Sequence, residues 1–264
     1  MSTNQSSAES FGTSVAVNWD ERVEGWETVA ATPAFARLAQ LVVAAAAPAP
    51  GDRVVDLGAG TGLLSLALAP HVERVVALDL SEPMLIRLQH NALQRGLRNV
   101  TTRTADLRTI PLPDESVTLA VSNYAFHHLD DNGKELALAE VRRVLAPGGR
   151  LVVCDMMFRL SLAPRDRALI GEMVSGIARR GPSGLFRIAK NVARITTGRW
   201  EKPANTAKWE AMLDRRRFSE VSVRVLEREA GLAYAKRPEL SGRTPSTHAL
   251  PLGSEPQIST QDDR

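Results

Sequence analysis

At 264 residues, with 44% apolar and 24% charged side chains, the chain has room for one large domain or a domain with an inserted cap, and an ordinary globular composition. A single cysteine, Cys154, excludes an intrachain disulfide framework and a four-cysteine zinc site. The net charge of +3 names no partner, and no apolar run reads as a signal peptide or a membrane span (residues 1–14 are polar and 38–47 are too few), so a cytoplasmic location is expected.

Residues 1–14, rich in Ser, Thr, Asn and Gln, are expected to be disordered. Trp19 and Trp26 are seven residues apart, on one face of a helix. That helix either docks on the domain or forms a flap whose aromatic ring covers a site. Residues 35–46 read as a second helix, closed by Pro48-Ala-Pro-Gly51. Residues 53–57 (RVVDL) are a short buried strand running into Gly58, Gly60 and Gly62, and 63–69 (LLSLALA) return to helix. Three glycines in one turn mark positions that need positive φ or a ligand pressed on bare backbone. Strand, glycine turn and helix start together make a socket at the carboxyl end of a sheet strand.

Residues 74–79 (RVVALD) form a second strand ending on Asp79, and a helical crossover makes it a parallel neighbour of the first. Ser81 caps the next helix, with Pro83 in its first turn and Leu85, Leu88, Ala92 and Leu93 as its apolar stripe. A weaker third strand, 100–105, leads to Asp106. A fourth, 117–121, opens into Ser122-Asn-Tyr-Ala-Phe-His-His-Leu129. An amphipathic helix over 134–145 stops at Pro147-Gly-Gly149, and 150–156 (RLVVCDM) make the fifth strand. This alternation calls for an α/β sheet with helices on both faces.

After Met157 the rhythm breaks. Helices over 164–180 and 183–197 flank Gly181-Pro182, and residues 159–202 hold ten basic against three acidic side chains, net +7, leaving −4 for the rest. The second of these helices is apolar on one side and basic on the other. A helix over 206–216 and strands at 221–226 and 232–236 complete the sheet; 241–264 read as a disordered tail. The divisions expected are therefore a tail at 1–14, a ligand-binding part at 15–157, a helical insert at 158–202, the last helix and strands at 203–240, and a tail at 241–264.

Two hallmarks of dinucleotide binding can be tested on the socket. The third glycine of G-x-G-x-x-G falls one residue early, at Gly62, with Leu63 in its place, so a pyrophosphate is disfavoured. The acid expected for ribose hydroxyls is present as Asp79. Asp56, just before the glycines, would repel a diphosphate and attract an ammonium or sulfonium.

Val-Asp-Leu-Gly-Ala-Gly-Thr-Gly, the acid ending strand two, Ala-Asp-Leu after strand three and Leu-Ala-Pro-Gly-Gly-Arg-Leu before strand five together resemble the class I S-adenosylmethionine-dependent methyltransferases. Among these the chain looks most like the small-molecule branch that includes the ubiquinone/menaquinone-biosynthesis type. The resemblance implies a Rossmann-like methyltransferase fold, with a mostly parallel seven-stranded sheet and a helical insert after strand five. Its cofactor would be S-adenosyl-L-methionine, with S-adenosyl-L-homocysteine as product. Carried over, Asp56 helps hold the methionine amino group and shapes the first turn, while Gly58, Gly60 and Gly62 let backbone lie against the methionyl and ribose parts. Asp79 accepts the ribose hydroxyls, Leu80 packs on the adenine, Asp106 accepts from its N6 with Leu107 beside it, and Asn123 lies near the carboxylate or the methyl.

His127 and His128 sit just past strand four, where a base belongs if the acceptor is a protonated oxygen or nitrogen. His127 is read as the substrate-facing base and His128 as a packing residue. Tyr124 and Trp19 are further substrate or lid candidates, and His128 is the third, beside its packing reading. No third ligand at suitable spacing makes a metal site with the two histidines. Asn123-Tyr124 lacks the prolines of the Asn/Asp-Pro-Pro-Tyr pattern, and no aromatics interleave the basic segment, so nucleic acid is disfavoured as a partner. In the family the region after strand five recognises the acceptor. Here that points to a lid over a hydrophobic acceptor (quinone precursor, polyketide or lipid), to transient contact with an anionic membrane through 183–199, or to an ordinary solvated helix face. Methyl transfer to oxygen, nitrogen or carbon of such a small molecule is the leading expectation; a protein or RNA methyltransferase and a non-catalytic cofactor-binding protein are the alternatives. The sequence specifies no oligomeric state.

Overall fold

The computed structural model describes residues 23–158, 164–179, 181, 202–226 and 229–239. Helices α1 (Val23–Ala30) and α2 (Pro33–Ala46) precede β1 (Arg53–Leu57), α3 (Leu63–Leu68), β2 (Arg74–Asp79), α4 (Glu82–Gln94), β3 (Val100–Thr104) and β4 (Val117–Asn123). Then follow α5 (Asp131–Val144), β5 (Leu145–Met156), α6 (Pro164–Ala178), α7 (Thr206–Arg215), β6 (Ser219–Val225) and β7 (Ala230–Lys236). The strands form one seven-stranded sheet in the order β3-β2-β1-β4-β5-β7-β6. β1 to β5 pair parallel, and β7 runs antiparallel between β5 and β6. The Rossmann-like α/β fold with a helix following strand five is as expected. Trp19, the tails at 1–14 and 241–264 and the basic segment 183–199 lie outside the described residues.

Burial on both faces explains why the central strands are nearly all apolar. Val54, Leu119, Val121 and Val152 face one layer, formed by α2 and α3 with Leu38, Val42, Leu64 and Leu68. Val55, Leu57, Ala120 and Val153 face the other, formed by α5 and α7 with Leu138, Val141, Trp209 and Met212. Alternate residues of one strand thus serve two cores. α4 covers β2 on the α3 side through Leu85 and Leu88, against Ala77.

Two boundaries depart from the sequence reading. α5 ends at Val144, and Leu145 already pairs with Val117 before the register shifts towards Leu119↔Arg150. Gly148, at φ +75°, sits in that irregularity, so the Pro-Gly-Gly stretch is a bulge inside a strand rather than a loop ahead of it. β4 runs on to Asn123, whose partner is Cys154. Burial of Ser122 and Asn123 keeps those polar residues in the strand.

At the end of the sheet away from the strand C-termini, Arg150 and Asp52 form a well-buried ion pair. Arg150 Nη2 lies 2.6 Å from Asp52 Oδ2, and Asp52 also accepts from Thr118 Oγ1 at 2.7 Å and Ala49 N at 2.7 Å. Arg150 Nε donates to Ala46 O at 2.6 Å, which joins β5 to the end of α2. No single described helix is long and apolar enough to cross a membrane; α1 and α2 together pass on length and composition but are bent by 74°.

Candidate functional site

The C-terminal ends of β1, β2, β3 and β4 meet at one cavity, where the strand order reverses between β1 and β4. It encloses about 700 Å³, counting the part open to solvent, and its wall includes Gly58, Gly60, Asp79, Leu80, Asp106 and Leu107. Met84, Ala105, Ala125 and Leu129 make the rest of it chiefly apolar, with Trp26, Tyr124 and His128 as the large rings. Each of these four strands delivers its last residues here, which is why an acid or glycine at a strand end carries more meaning than one elsewhere.

The glycine turn is shaped from beneath. Gly58 N and Ala59 N donate to Leu78 O at 2.8 and 2.9 Å, which pins the turn to β2. Gly58, Gly60 and Gly62 have φ of +72°, +52° and +100°. A Cβ at Gly58 would lie 2.3 Å from Ala125 Cβ, one at Gly60 2.9 Å from Trp26 Nε1, and one at Gly62 2.8 Å from Leu88 Cγ. Conformation and space therefore both demand glycine, and they leave bare backbone beside the cavity.

Asp79 accepts from Gly60 N at 2.8 Å through Oδ2 and from Ser81 N at 3.0 Å through Oδ1. The carboxylate is thus fixed between the turn and the start of α4, on the cavity wall, where its remaining lone pairs can accept from a diol. Leu80 next to it is 62% exposed, an apolar side chain left uncovered at the cavity and suited to receive a flat ring. Asp106 is clamped by Arg108, with Nε 3.0 Å from Oδ1 and 2.9 Å from Oδ2. Burial alone would raise its carboxyl, but the hydrogen bonds and charge of Arg108 win and hold it below the usual carboxylate range. The sequence reading did not foresee this arginine.

Asp56 behaves differently. It is 1% exposed, and its Oδ2 accepts from Ser65 Oγ at 2.6 Å and Ser65 N at 3.0 Å. It holds the first turn of α3 beneath the glycines, which is the turn-shaping part of its expected role; it does not line the cavity. Burial pushes its carboxyl up to about 7 against the two bonds from Ser65, and the Asp79 carboxylate pushes the same way.

The segment after β4 carries the reactive groups. Tyr124 takes φ +57°, a left-handed conformation costly for a bulky side chain, while its N–H donates to Cys154 O at 2.8 Å. A tight turn over Phe126–His128 follows. His128, read both as a packing residue and as a substrate or lid candidate, lines the cavity; His127, expected to face substrate, is 6% exposed behind it, with ring centroids 4.0 Å apart. His127 Nδ1 lies 2.6 Å from Asp155 Oδ1, and His127 N donates to Asp155 Oδ2 at 3.0 Å. A carboxylate can only accept, so Nδ1 carries a proton. Burial would raise the Asp155 carboxyl, but the charge and hydrogen bond of His127, with Met156 N at 2.6 Å, hold it low. Asp155 is the acid that ends strand five, as Asp79 ends strand two, so the same signal was available in the sequence. Cys154 beside it is buried, and burial pushes its thiol up to about 12, which makes it no nucleophile.

Trp26, on the first helix, reaches the glycine turn. Its indole stands against Gly60, and α1 is held to α4 by Arg87 Nη1 at 2.7 Å from Glu27 Oε2. From Trp26 an aromatic series crosses to the histidines, with Phe35 at 5.5 Å, then Tyr124 at 5.0 Å and His127 at 5.8 Å between successive centroids.

The site fits a sulfonium nucleoside: the glycine turn offers backbone with no room for Cβ atoms beside an acid suited to a ribose. Asn123, at the end of β4 and 7% exposed, does not line the cavity but adjoins Tyr124, which does; both its side-chain polar atoms lack a hydrogen-bond partner among the described residues, a cost a native fold rarely bears without reason. No group of three His, Cys, Asp or Glu among the described residues could hold a metal.

Residues 54–149 match the sequence family described as a methyltransferase domain. An uncharacterized methyltransferase of Geobacillus thermodenitrificans is 31% identical over 166 residues, covering 63% of this chain and 72% of that protein. The uncharacterized methyltransferase YcgJ of Bacillus subtilis is 35% identical over 132 residues, 50% of this chain; the match spans about half of YcgJ, 49%. Its crystal structure aligns with 77% of this chain and 99% of its own at a TM-score of 0.57 and 18% identity, a likeness of fold. The demethylmenaquinone methyltransferase of Thermus thermophilus is 42% identical over 106 residues, covering 39% of this chain and 46% of that protein. Shared identity over nearly three quarters of the Geobacillus protein goes beyond a common fold: the chain belongs to the S-adenosylmethionine-dependent methyltransferases.

Proposed function

We propose that the chain transfers a methyl group from S-adenosylmethionine to an oxygen, nitrogen or carbon of a small hydrophobic acceptor, of the quinone-precursor, polyketide or lipid-like kind. The observation that carries this reading is the largely apolar cavity that runs from the glycine turn to His128. A relative named for demethylmenaquinone supports the acceptor class.

When bound, the cofactor supplies a methyl on a positive sulfur that is already a good leaving group. What remains for the protein is position, exclusion of water and management of one proton. Asp79 would accept the ribose hydroxyls, Leu80 and Leu107 flank the adenine, Asp106 accepts from its amine, and Asn123 would meet the methionyl end. Gly58, Gly60 and Gly62 let backbone approach, with Asp56 supporting the turn. For an oxygen or nitrogen acceptor the proton would go to His127, which stands behind His128 rather than on the cavity wall, with Asp155 stabilising the imidazolium through Nδ1. His128 and Tyr124, on the cavity wall, orient the acceptor.

Calorimetry tests the cofactor first. S-adenosylhomocysteine is expected to bind and NAD not. Asp79→Ala should weaken S-adenosylhomocysteine by about 10- to 150-fold, from the ~1.5–3 kcal/mol of a hydrogen bond to a charged group. Unchanged affinity in that variant, or tight NAD binding, would overturn the reading.

A further inference from the structure

Lys134, in the first turn of α5, is 0% exposed, and nothing in the mechanism above uses it. Its Nζ donates to two main-chain carbonyls, Leu129 O and, at 2.5 Å, Lys202 O. Leu129 closes the turn that carries both histidines. Lys202 is where the chain re-enters the described fold after the insert, and Lys202 N donates to His127 O at 2.7 Å. Two distant segments thus meet at one ammonium, and one of them also grips the main chain of His127.

A buried cation is a poor choice for stability alone, because an apolar side chain of like size is often neutral or better. Burial pushes the Lys134 ammonium down to about 8, with the Asp155 carboxylate, then Asp131, opposing that fall. The charges facing it are Asp155 from β5, Asp130 and Asp131 at the start of α5, and Lys208 from α7, itself paired with Asp131 at 2.5 Å. Asp155 therefore stands between two cationic groups, His127 when protonated and Lys134.

We propose that Lys134 is a positioning residue: by bridging Leu129 O and Lys202 O it couples the end of the acceptor-side insert to the turn that holds His127 against Asp155. This rests on the reading of His127 as the base.

Hydrogen exchange and histidine NMR on the full chain test it without an acceptor. In Lys134→Met, amides of 126–129 and 202 should exchange at least about ten-fold faster than in the parent, while those of β1 and β4 stay unchanged. The hydrogen-bonded Nδ1 proton of His127 should be visible in the parent and lost in the variant. Local exchange unchanged, or the Nδ1 proton retained in the folded variant, would overturn the proposal. Acceleration spread equally over β1 and β4 would do the same, by showing a residue that merely holds the core together. Calorimetry with S-adenosylhomocysteine keeps the two readings apart. Parent and variant should bind within two-fold of each other, and a parent that fails to bind strikes the cofactor reading while leaving the exchange result to judge Lys134.

Discussion

Asp56 and Asp79 lie at the carboxyl ends of neighbouring strands, one residue from the end of β1 and at the end of β2, yet their surroundings give them different work. Asp79 keeps its carboxylate on the cavity wall, whereas Asp56 is sealed against Ser65. That difference has a measurable consequence in pH. The folded Asp56 carboxyl titrates at about 7 against an ordinary 3.8, so between those values the folded protein holds a proton that the unfolded chain has lost. Its contribution to stability is full below 3.8 and disappears as pH rises through about 7. Asp56→Asn keeps an oxygen for Ser65 and carries no charge. Melting curves from pH 4 to 8 should show the parent losing stability relative to Asp56→Asn across that window, and parallel curves would mean that the carboxyl is not buried as described. The sequence told that an acid precedes the glycines but not which way it points. One residue of register decides that, and only the pairing of β1 with β2 and β4 settles it.

Among elements, α1 is the one whose packing differs most from the rest. Only Ala30 is buried, and its hold on the body comes from the Trp26 ring and the Glu27–Arg87 pair. That pair is partly exposed at both ends, 40% and 30%, so solvent screening leaves it worth less than about 1 kcal/mol. An element held so lightly over the glycine turn suits a cover that opens for the cofactor. Trp26→Ala should lower the melting temperature by no more than about 2–4 °C and speed S-adenosylhomocysteine release by about an order of magnitude; stopped-flow release at the parent's rate would reduce α1 to packing. The seven-residue spacing of Trp19 and Trp26 announced a helix, and nothing in it told that the ring would rest on Gly60. The central parallel strands were legible because both faces are buried and most positions are apolar. The last residues of β4 were not, because Ser122 and Asn123 read as loop by propensity and stay extended only through their burial beside β5. Adjacent histidines are equally opaque: which one faces inward depends on Asp155, 28 positions away.

At the scale of the molecule the sheet has two ends with separate duties. The C-terminal ends of β1 to β4 carry glycines, a left-handed Tyr124, an Asn123 side chain without a partner among the described residues, and several acids; the strained turn and the bare amide cost stability. The opposite end carries a polar knot in which each group is matched: Arg150 spans Ala46 O, Ala47 O and both Asp52 oxygens, and Thr118 joins Asp52 to β4. Burial would raise the Asp52 carboxyl, but Arg150 and Thr118 outweigh it and hold it below 3.8, so its stabilisation is present above that value and is lost as pH falls through the folded pKa. With side chains only 18% and 7% exposed, removing one partner strands the other charge away from water. Arg150→Met should therefore cost about 3 kcal/mol in urea unfolding and shrink the stability difference between pH 7 and pH 3. S-adenosylhomocysteine affinity, measured where the variant is fully folded, should stay within two-fold of the parent, because the knot and the cavity lie at opposite ends of the same strands. A variant as stable as the parent would show that the ion pair merely breaks even. A large loss of affinity in a folded variant would show that strand register, set at the far end by Arg150, reaches the glycine turn through the five residues of β1.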